Sequence, residues 1–194
     1  MKHLFLALTL GLATAATAQT LNVIPASSKL VWTGKKVTGQ HTGGIGVKDG
    51  QLTWGADGLT AATITIDMRS ITNTDLQGEM NAKLVGHLNS PDFFNTAEHA
   101  TATFVSTSVE KIADAPAGKP NYRVTGDLTI KGITHPVTFD VLAWKEGKGA
   151  RAAANLTFDR SKYDVRYASS SFFEGLGDKV IYDDVVLTFD VTAS

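Results

Sequence analysis

Four histidine side chains in the body of the chain are the residues best suited to acid–base or metal chemistry. His41, His87, His99 and His135 stand singly, and none falls in a metal-binding spacing such as H-E-x-x-H. A metal site would therefore require the fold to bring several of them together. Isolated histidines are more often solvated or satisfied within the structure, so we predict neither a metal site nor a bound cofactor.

An acidic pair and a glycine run are two further segments whose residue types could take part in chemistry. Asp183 and Asp184 are adjacent, so in an extended chain their side chains point to opposite faces and do not share a proton. The run Gly43–Gly46 resembles a phosphate loop only in composition, because no helix follows it to supply an N-terminal dipole. We interpret this run as a twisted or bulged strand. The alternative function is an envelope enzyme that uses a His/Asp/Tyr cluster near the barrel mouth. It requires His41, His87 and an acidic residue to converge within hydrogen-bond reach of a pocket.

The composition excludes several classes of site and partner. The chain has no cysteine, which rules out disulfides, thiolate metal ligands, a cysteine nucleophile and a lipid-modified N-terminal cysteine. Its 18 basic and 19 acidic residues leave a formal net charge of −1, and neither sign is gathered into a block. Nucleic acid is therefore not an expected partner.

The elements that position these residues are mostly strands, because apolar and polar residues alternate with a period of two. Ile64, Ile66 and Met68 share one face in this way. The same alternation is found at Leu128 and Ile130, at Val137, Phe139 and Val141, at Ala152, Ala154, Leu156 and Phe158, and at Val185, Leu187, Phe189 and Val191. Hairpin signals occur at Asp49-Gly50, Asp57-Gly58 and Lys131-Gly132. We predict an all-β, antiparallel, closed barrel of about eight strands.

One segment departs from the strand pattern and predicts an amphipathic helix over residues 75–88. Its apolar residues Leu76, Met80, Leu84 and Leu88 are spaced by four and fall on one stripe. Thr74 with Gln77 would form a capping box at the helix start. We expect this stripe, with Phe93 and Phe94 behind it, to close one end of the barrel.

A long segment without sustained periodicity, residues 160–183, precedes the last strand. Its aromatic residues are Tyr163, Tyr167, Phe172, Phe173 and Tyr182. A loop of this length is either a binding rim or a packed cover over the barrel edge. The residues alone leave both interpretations open.

The first residues have the layout of a secretory signal peptide. Lys2 and His3 precede an apolar run that is too short to span a bilayer, and Ala16-Thr17-Ala18 is a suitable cleavage site. We expect cleavage after Ala18, a single domain over residues 19–194, and a periplasmic or secreted protein. No second apolar block predicts an integral membrane span.

The chain from residue 20 to residue 193 resembles the YceI-like domain family, the lipocalin-like exported barrels associated with polyisoprenoid binding. The resemblance rests on motifs in matching order at residues 32–36 (WTGKK), 39–43 (GQHTG), 86–94 (GHLNSPDFF), 126–134 (GDLTIKGIT), 159–164 (DRSKYD) and 177–179 (GDK). It implies an antiparallel barrel whose elongated interior takes an isoprenoid or similar amphiphilic chain without catalysis.

We therefore predict a binding protein, not an enzyme, that carries or stores a long apolar ligand as a monomer or homodimer. The sequence leaves open whether Trp32, Phe104 and Phe139 fill the middle of the barrel. The predicted ligand contacts are Trp32, Ile64, Ile66, Met68, Leu76, Met80, Leu84, Leu88, Phe93, Phe94, Phe104, Leu128, Phe139, Ala152, Ala154, Leu156, Phe158, Tyr163, Phe172 and Phe173.

Overall fold

Strands dominate the computed structural model, which describes residues 18–194. The predicted signal peptide therefore lies, up to residue 17, outside the described residues. Within them the chain forms nine strands and one α-helix. The strands are β1 Gln19–Asn22, β2 Lys29–Lys36, β3 Gly39–Gly55, β4 Gly58–Asp67, β5 Thr101–Lys111, β6 Tyr122–Ile130, β7 Ile133–Glu146, β8 Gly149–Asp159 and β9 Ile181–Ala193, and the helix, α1, is Gly78–Asn89. Short 3-10 turns lie at Pro25–Ser27, Met68–Ser70, Arg160–Tyr163 and Gly177–Lys179.

The sheet is antiparallel and closes on itself. Its strand order is β1-β3-β2-β9-β8-β7-β6-β5-β4, and β4 pairs again with β3. β1 pairs with residues 51–54 of β3, while β2 pairs with residues 39–45 of the same strand, so β1 and β2 together occupy one place in the barrel. The predicted closed barrel of about eight strands is therefore confirmed.

The alternating sequence pattern places one face of each strand inside the barrel. Along β6, buried positions alternate with exposed or half-buried ones from Tyr122 to Ile130. Lys131 and Gly132 form the two-residue turn to β7, with φ angles of 50° and 75°. Asp57-Gly58 likewise lies at the turn from β3 to β4. The hairpin predicted at Asp49-Gly50 is wrong, because β3 continues through both residues with a bulge nearby.

The glycine run of β3 makes room for a crossing segment. The amide of Thr72 donates to Gly44 O (2.9 Å), and Thr74 N donates to Thr42 O (2.9 Å). A Cβ atom at Gly43 would lie only 1.8 Å from Thr72 O. That same carbonyl accepts a hydrogen bond from Trp32 Nε1 at 2.9 Å. The run is a strand, as predicted, and the absence of side chains at Gly43, Gly44 and Gly46 lets residues 70–74 lie against the barrel.

The helix begins later than the sequence predicts. Gly78 has a φ of 56°, a left-handed conformation that prevents the right-handed helix from extending toward Asp75. The helix is preceded by Gln77, which forms no side-chain capping bond, so the predicted capping box of Thr74 and Gln77 is wrong. Within α1 only Leu88 is buried. Met80 is 60 % exposed, so its expected place on a buried stripe is also wrong.

Asp75 instead anchors the segment before the helix to β3. Its carboxylate accepts hydrogen bonds from Thr42 N (2.8 Å), His41 Nδ1 (2.7 Å) and Asn73 Nδ2 (2.5 Å). Burial acts to raise the pKa of Asp75, but these hydrogen bonds outweigh it and lower the pKa to about 2.

No helix among residues 18–194 is long and apolar enough to cross a membrane.

We predict that Gly43→Ala destabilises the protein by about 3 kcal/mol, because the added Cβ displaces Thr72 and breaks its bond with Trp32. The matched control is Gly86→Ala in α1, where nothing lies within 4 Å of the new Cβ. That control should raise stability by about 0.5–1 kcal/mol. Urea unfolding curves would measure both changes, and equal effects of the two substitutions would contradict the assigned crossing contact.

We also predict an acid-sensitive contribution from Asp75. Because its folded pKa of about 2 lies below the ordinary value of 3.8 for an aspartate, the stabilisation is complete above pH 3.8 and is lost as the pH falls toward 2. Asp75→Asn should cost about 1–2 kcal/mol at neutral pH and lose this part of the acid dependence. Stability measured between pH 5 and pH 2 tests this; parallel curves for both proteins would refute it.

Candidate functional site

An apolar cavity lies inside the barrel at the end that carries α1, and we call it the upper cavity. Its volume is about 100 Å³. The barrel strands line most of it with aliphatic and aromatic side chains. The lining residues are Trp32, Gly34, Ile45, Ile66, Met68, Ile71, Leu88, Phe93, Phe94, Ala102, Leu128, Ile130, Leu156, Phe158, Arg160, Ile181, Tyr182, Val185 and Leu187.

The end of α1 and the turn after it cover this cavity. Leu88, Phe93 and Phe94 are each less than a tenth exposed and line its wall. The turn is held by backbone bonds from Phe93 N to Ser90 O (3.0 Å) and from Phe94 N to Leu88 O (3.1 Å). The expected closure of one barrel end therefore comes from the last turn of the helix and the two phenylalanines, and not from the full stripe.

Arg160 is the one charged residue among those that line the upper cavity. It is 1 % exposed, and its Nε, Nη1 and Nη2 atoms donate to the carbonyls of Tyr182 (3.2 Å), Val165 (2.9 Å) and Ile181 (2.9 Å). Burial lowers the pKa of Arg160, and the attraction of Asp183 partly offsets that effect. The Arg160 guanidinium therefore holds the segment of residues 160–183 to the start of β9.

Asp183 completes this anchor. Its Oδ1 atom lies 3.2 Å from Arg160 Nη2, and its Oδ2 atom accepts hydrogen bonds from the hydroxyls of Ser169 (2.8 Å) and Ser171 (2.7 Å). Ser169 is fully buried. These bonds fix the middle of the loop against the start of β9.

The segment of residues 160–183, with its five aromatic side chains, is packed in one part and exposed in another. Tyr163 is 1 % exposed and packs edge-on against Phe158, with ring centroids 5.8 Å apart. Burial, with a smaller effect of Asp159, raises the pKa of Tyr163 to about 12. Tyr167, Phe172 and Phe173 are 42–48 % exposed. The packed cover is therefore confirmed for the buried residues, and a binding rim at the three exposed residues stays a prediction.

A second apolar cavity, the lower cavity, lies deeper in the barrel and has a volume of about 40 Å³. Three aromatic rings form a layer at its upper side: the centroids of Phe104 and Phe139 are 5.3 Å apart, and those of Phe139 and Phe189 are 5.7 Å apart. Along β5, Ala102 lines the upper cavity and Phe104 the lower one. Aromatic side chains therefore fill part of the barrel, which was the possibility that the sequence left open.

The predicted ligand contacts divide into three groups. Those that line the upper cavity are Trp32, Ile66, Met68, Leu88, Phe93, Phe94, Leu128, Leu156 and Phe158. Those that line the lower cavity are Ile64, Phe104, Phe139 and Ala152. Those that line neither cavity are Leu76, Met80, Leu84, Ala154, Tyr163, Phe172 and Phe173.

Several lining residues were absent from the predicted set. Val185 and Leu187 already showed the inward alternation of the last strand, so the sequence signal for them existed. Arg160 had no such signal, because an arginine in a polar loop normally indicates solvation. Its role depends on the fold of residues 160–183, which bring the carbonyls of Val165, Ile181 and Tyr182 to the guanidinium.

The histidines form separate contacts. His41 pairs with Asp75, whereas His87 Nε2 lies 3.8 Å from Asp92 and its ring packs edge-on against Tyr167. Neither these two histidines nor their partners Asp75 and Asp92 line the upper cavity. Among residues 18–194 no three histidine or acidic side chains form a group able to hold a metal ion. His41 and His87 thus pair with different carboxylates, and the enzyme alternative, which places its cluster near the barrel mouth, stays a prediction.

Curated relatives resemble part of the chain. A UPF0312 protein from Pseudomonas putida (strain F1) is 35% identical over 113 residues, which cover 56% of this chain and 54% of the relative. A UPF0312 protein from Shewanella sp. (strain ANA-3) is 32% identical over 123 residues, 60% of each chain. The matched region thus spans little more than half the length of these relatives.

Solved structures share the fold. Burkholderia cenocepacia BcnA has a TM-score of 0.67 and 26% identity, covering 89% of this chain and 99% of its own. A polyisoprenoid binding domain from Saccharophagus degradans, described as implicated in plant cell wall breakdown, has a TM-score of 0.60 and 17% identity over 90% and 97% of the two chains. The Campylobacter jejuni YCEI protein gives 0.54 and 18% over 100% and 93%. Finally, the family model of the YceI-like domain matches residues 21–193, and the chain therefore belongs to the YceI-like domain family.

Proposed function

We propose that this protein binds the apolar chain of an amphiphilic lipid in the upper cavity, and that it carries or stores this lipid without chemical change. The observation that carries the proposal is the cavity wall: it is built from apolar side chains and one arginine whose nitrogens already donate to backbone carbonyls. Such a wall favours hydrocarbon and offers little to a polar substrate.

Burial of the ligand supplies the binding free energy. Each methylene removed from water contributes about 0.8 kcal/mol. A chain loses conformational freedom when it is bound, and a largely preformed cavity reduces that cost. Affinity should therefore increase with each carbon that fits beneath Phe93 and Phe94.

The length of the chain depends on the ring layer. A volume of about 100 Å³ holds only a short hydrocarbon segment. Rotation of Phe104, Phe139 and Phe189 would join the upper and lower cavities into one channel. Longer chains therefore enter only when these rings turn away from the barrel axis.

The ligand class and the location are also part of the proposal. The similarity in fold to a polyisoprenoid binding domain supports an isoprenoid chain. The layout of residues 1–18 supports export to the periplasm or beyond. Carriage or storage needs no second subunit, so a monomer or a homodimer fits equally.

We predict that Ala102→Leu weakens the binding of geraniol by about 10- to 100-fold. The larger side chain occupies the upper cavity and displaces roughly three methylene groups of ligand at about 0.8 kcal/mol each. Val105→Leu on the same strand is the matched control, because Val105 is 46 % exposed. Isothermal titration calorimetry measures both; unchanged affinity in the Ala102 variant would exclude the upper cavity as the site.

We predict that Phe139→Ala shifts selectivity toward longer chains. Removing this ring should join the two cavities, so geranylgeraniol gains affinity relative to geraniol, while the protein loses about 2–4 kcal/mol of stability. Phe172→Ala is the control, since Phe172 is 42 % exposed and lies outside both cavities. Competition binding with the two alcohols gives the ratio, and an unaltered ratio would show that the ring layer does not limit length.

A further inference from the structure

The barrel wall has a gap between β7 and β8, because the pairing of these strands stops partway along them. Their register ends at the pair of Val141 and Ala154. Beyond this pair, β7 continues to pair with β6 and β8 continues to pair with β9. Residues 133–140 of β7 and residues 155–159 of β8 form the two edges of the gap, which we call the β7–β8 slit. Backbone groups on these edges lack the ladder hydrogen bonds that join the rest of the two strands.

Apolar side chains that face inward are partly exposed along the β7–β8 slit. Val137, Phe139, Ala154 and Phe158 pack against the core but are only half-buried. On β6, which is paired on both sides, every inward position of Tyr122–Ile130 is buried. The exposure of inward side chains therefore coincides with the interrupted pairing.

A surface pocket lies at the lower end of the slit, and we call it the side pocket. Its volume is about 430 Å³. Asp140, Asn155 and Thr188 contribute outward-facing side chains to it, whereas Ala154 and Phe189 belong to the inward-facing set. Phe189 also lines the lower cavity. This side chain therefore stands between the side pocket and the interior of the barrel.

The upper part of the slit is closed by the turn Arg160–Tyr163. His135 Nε2 donates a hydrogen bond to Lys162 O at 3.0 Å. The ring of Tyr163 packs edge-on against His135 and Phe158, with centroid distances of 5.3 Å and 5.8 Å. The less covered part of the slit is therefore the lower one, beside the lower cavity.

A comparable gap between β4 and β5 is bridged by side chains. The register of these strands also ends before the strands do. Beyond it, Ser106 Oγ accepts a hydrogen bond from Ala62 N (2.9 Å), and the hydroxyl of Tyr122 accepts one from Leu59 N (3.3 Å). Leu59 and Tyr122 are both buried. Polar side chains thus close this gap, whereas half-buried apolar ones border the β7–β8 slit.

We propose that the β7–β8 slit is a side portal into the lower cavity, and that the far end of a long apolar chain leaves the barrel through it beside Phe189. The portal follows from the interrupted ladder and the half-buried inward side chains, and its occupant rests on the proposed function. Missing ladder hydrogen bonds lower the free energy of local opening. A chain too long for the two cavities keeps its first carbons in the upper cavity and extends its last carbons into the side pocket.

Thiol reactivity tests the portal without a ligand, because the chain has no cysteine of its own. Ala152→Cys places a thiol in the wall of the lower cavity, and the control Ala143→Cys places one at the directly paired position of β7, which lines neither cavity. The two alanines are 4 % and 2 % exposed. We expect N-ethylmaleimide to modify Ala152→Cys about 10-fold faster than Ala143→Cys.

A larger side chain at Ala154 should close the portal. Combined with Ala152→Cys, Ala154→Phe should slow the modification to the rate of the control. Ala154→Val should slow it partway, and it decides the point if the phenylalanine variant does not fold. Equal rates for Ala152→Cys and Ala143→Cys would overturn the portal. A fast rate that neither change at Ala154 slows would also overturn it, because the reagent would then enter elsewhere.

Calorimetry with geraniol and geranylgeraniol tests the occupant in wild type, Ala154→Phe and Val105→Phe. Val105 is 46 % exposed and lies outside the side pocket, so it provides the control. We expect Ala154→Phe to weaken geranylgeraniol binding by about 10-fold, which corresponds to about two methylene groups no longer buried. Geraniol binding should stay unchanged, and Val105→Phe should alter neither affinity.

Equal weakening of both alcohols by Ala154→Phe would overturn the position of the chain end, and so would unchanged geranylgeraniol binding. If neither alcohol binds to wild type, the proposed function fails by itself. The thiol modification rates still decide the portal in that case.

Discussion

Closure of the barrel depends on the pairing of β3 with two different neighbours. Its first part pairs with β2 and its later part, from Gly46 to Gly55, pairs with β4. The change of partner falls within the glycine run, where residues 70–74 cross the strand. A side chain at Gly43 would collide with Thr72. Both the closed sheet and the covered end of the barrel therefore depend on backbone that carries no side chain.

The interior is a compromise between a packed core and a binding volume. Gly126 of β6 leaves space for the ring of Phe104, because a Cβ atom there would lie 2.5 Å from Phe104 Cζ. The ring can therefore lie across the barrel and pack against Phe139. These contacts stabilise the empty protein and at the same time divide its hollow into two. Stability and ligand capacity are thus determined by the same side chains.

The features that could be predicted from the sequence are those that repeat along the chain. Alternation placed Ile66, Leu128 and Leu156 inside the barrel, because it records which face of a strand is buried. The start of α1 and the continuation of β3 could not be predicted in the same way. At Asp49-Gly50 the pairing of β3 with β4 overrides a local turn signal, whereas at Gly78 a left-handed backbone conformation interrupts the helical pattern of the sequence. Arg160 was missed for a related reason, since its partners come from a loop that folds back over the barrel.

The helix α1 buries little of its surface against the barrel, and this affects how the upper cavity opens to solvent. Leu88 is the one buried side chain of the helix, whereas each of the strands β2 to β9 is hydrogen-bonded to a neighbouring strand on both sides. Local opening free energies follow such differences in burial. The helix can therefore detach in a sub-global opening that leaves the ladders intact, and its amides would exchange with solvent sooner than those of the strands. Access to the upper cavity would then be governed by this small opening free energy, independently of the much larger one that protects the barrel.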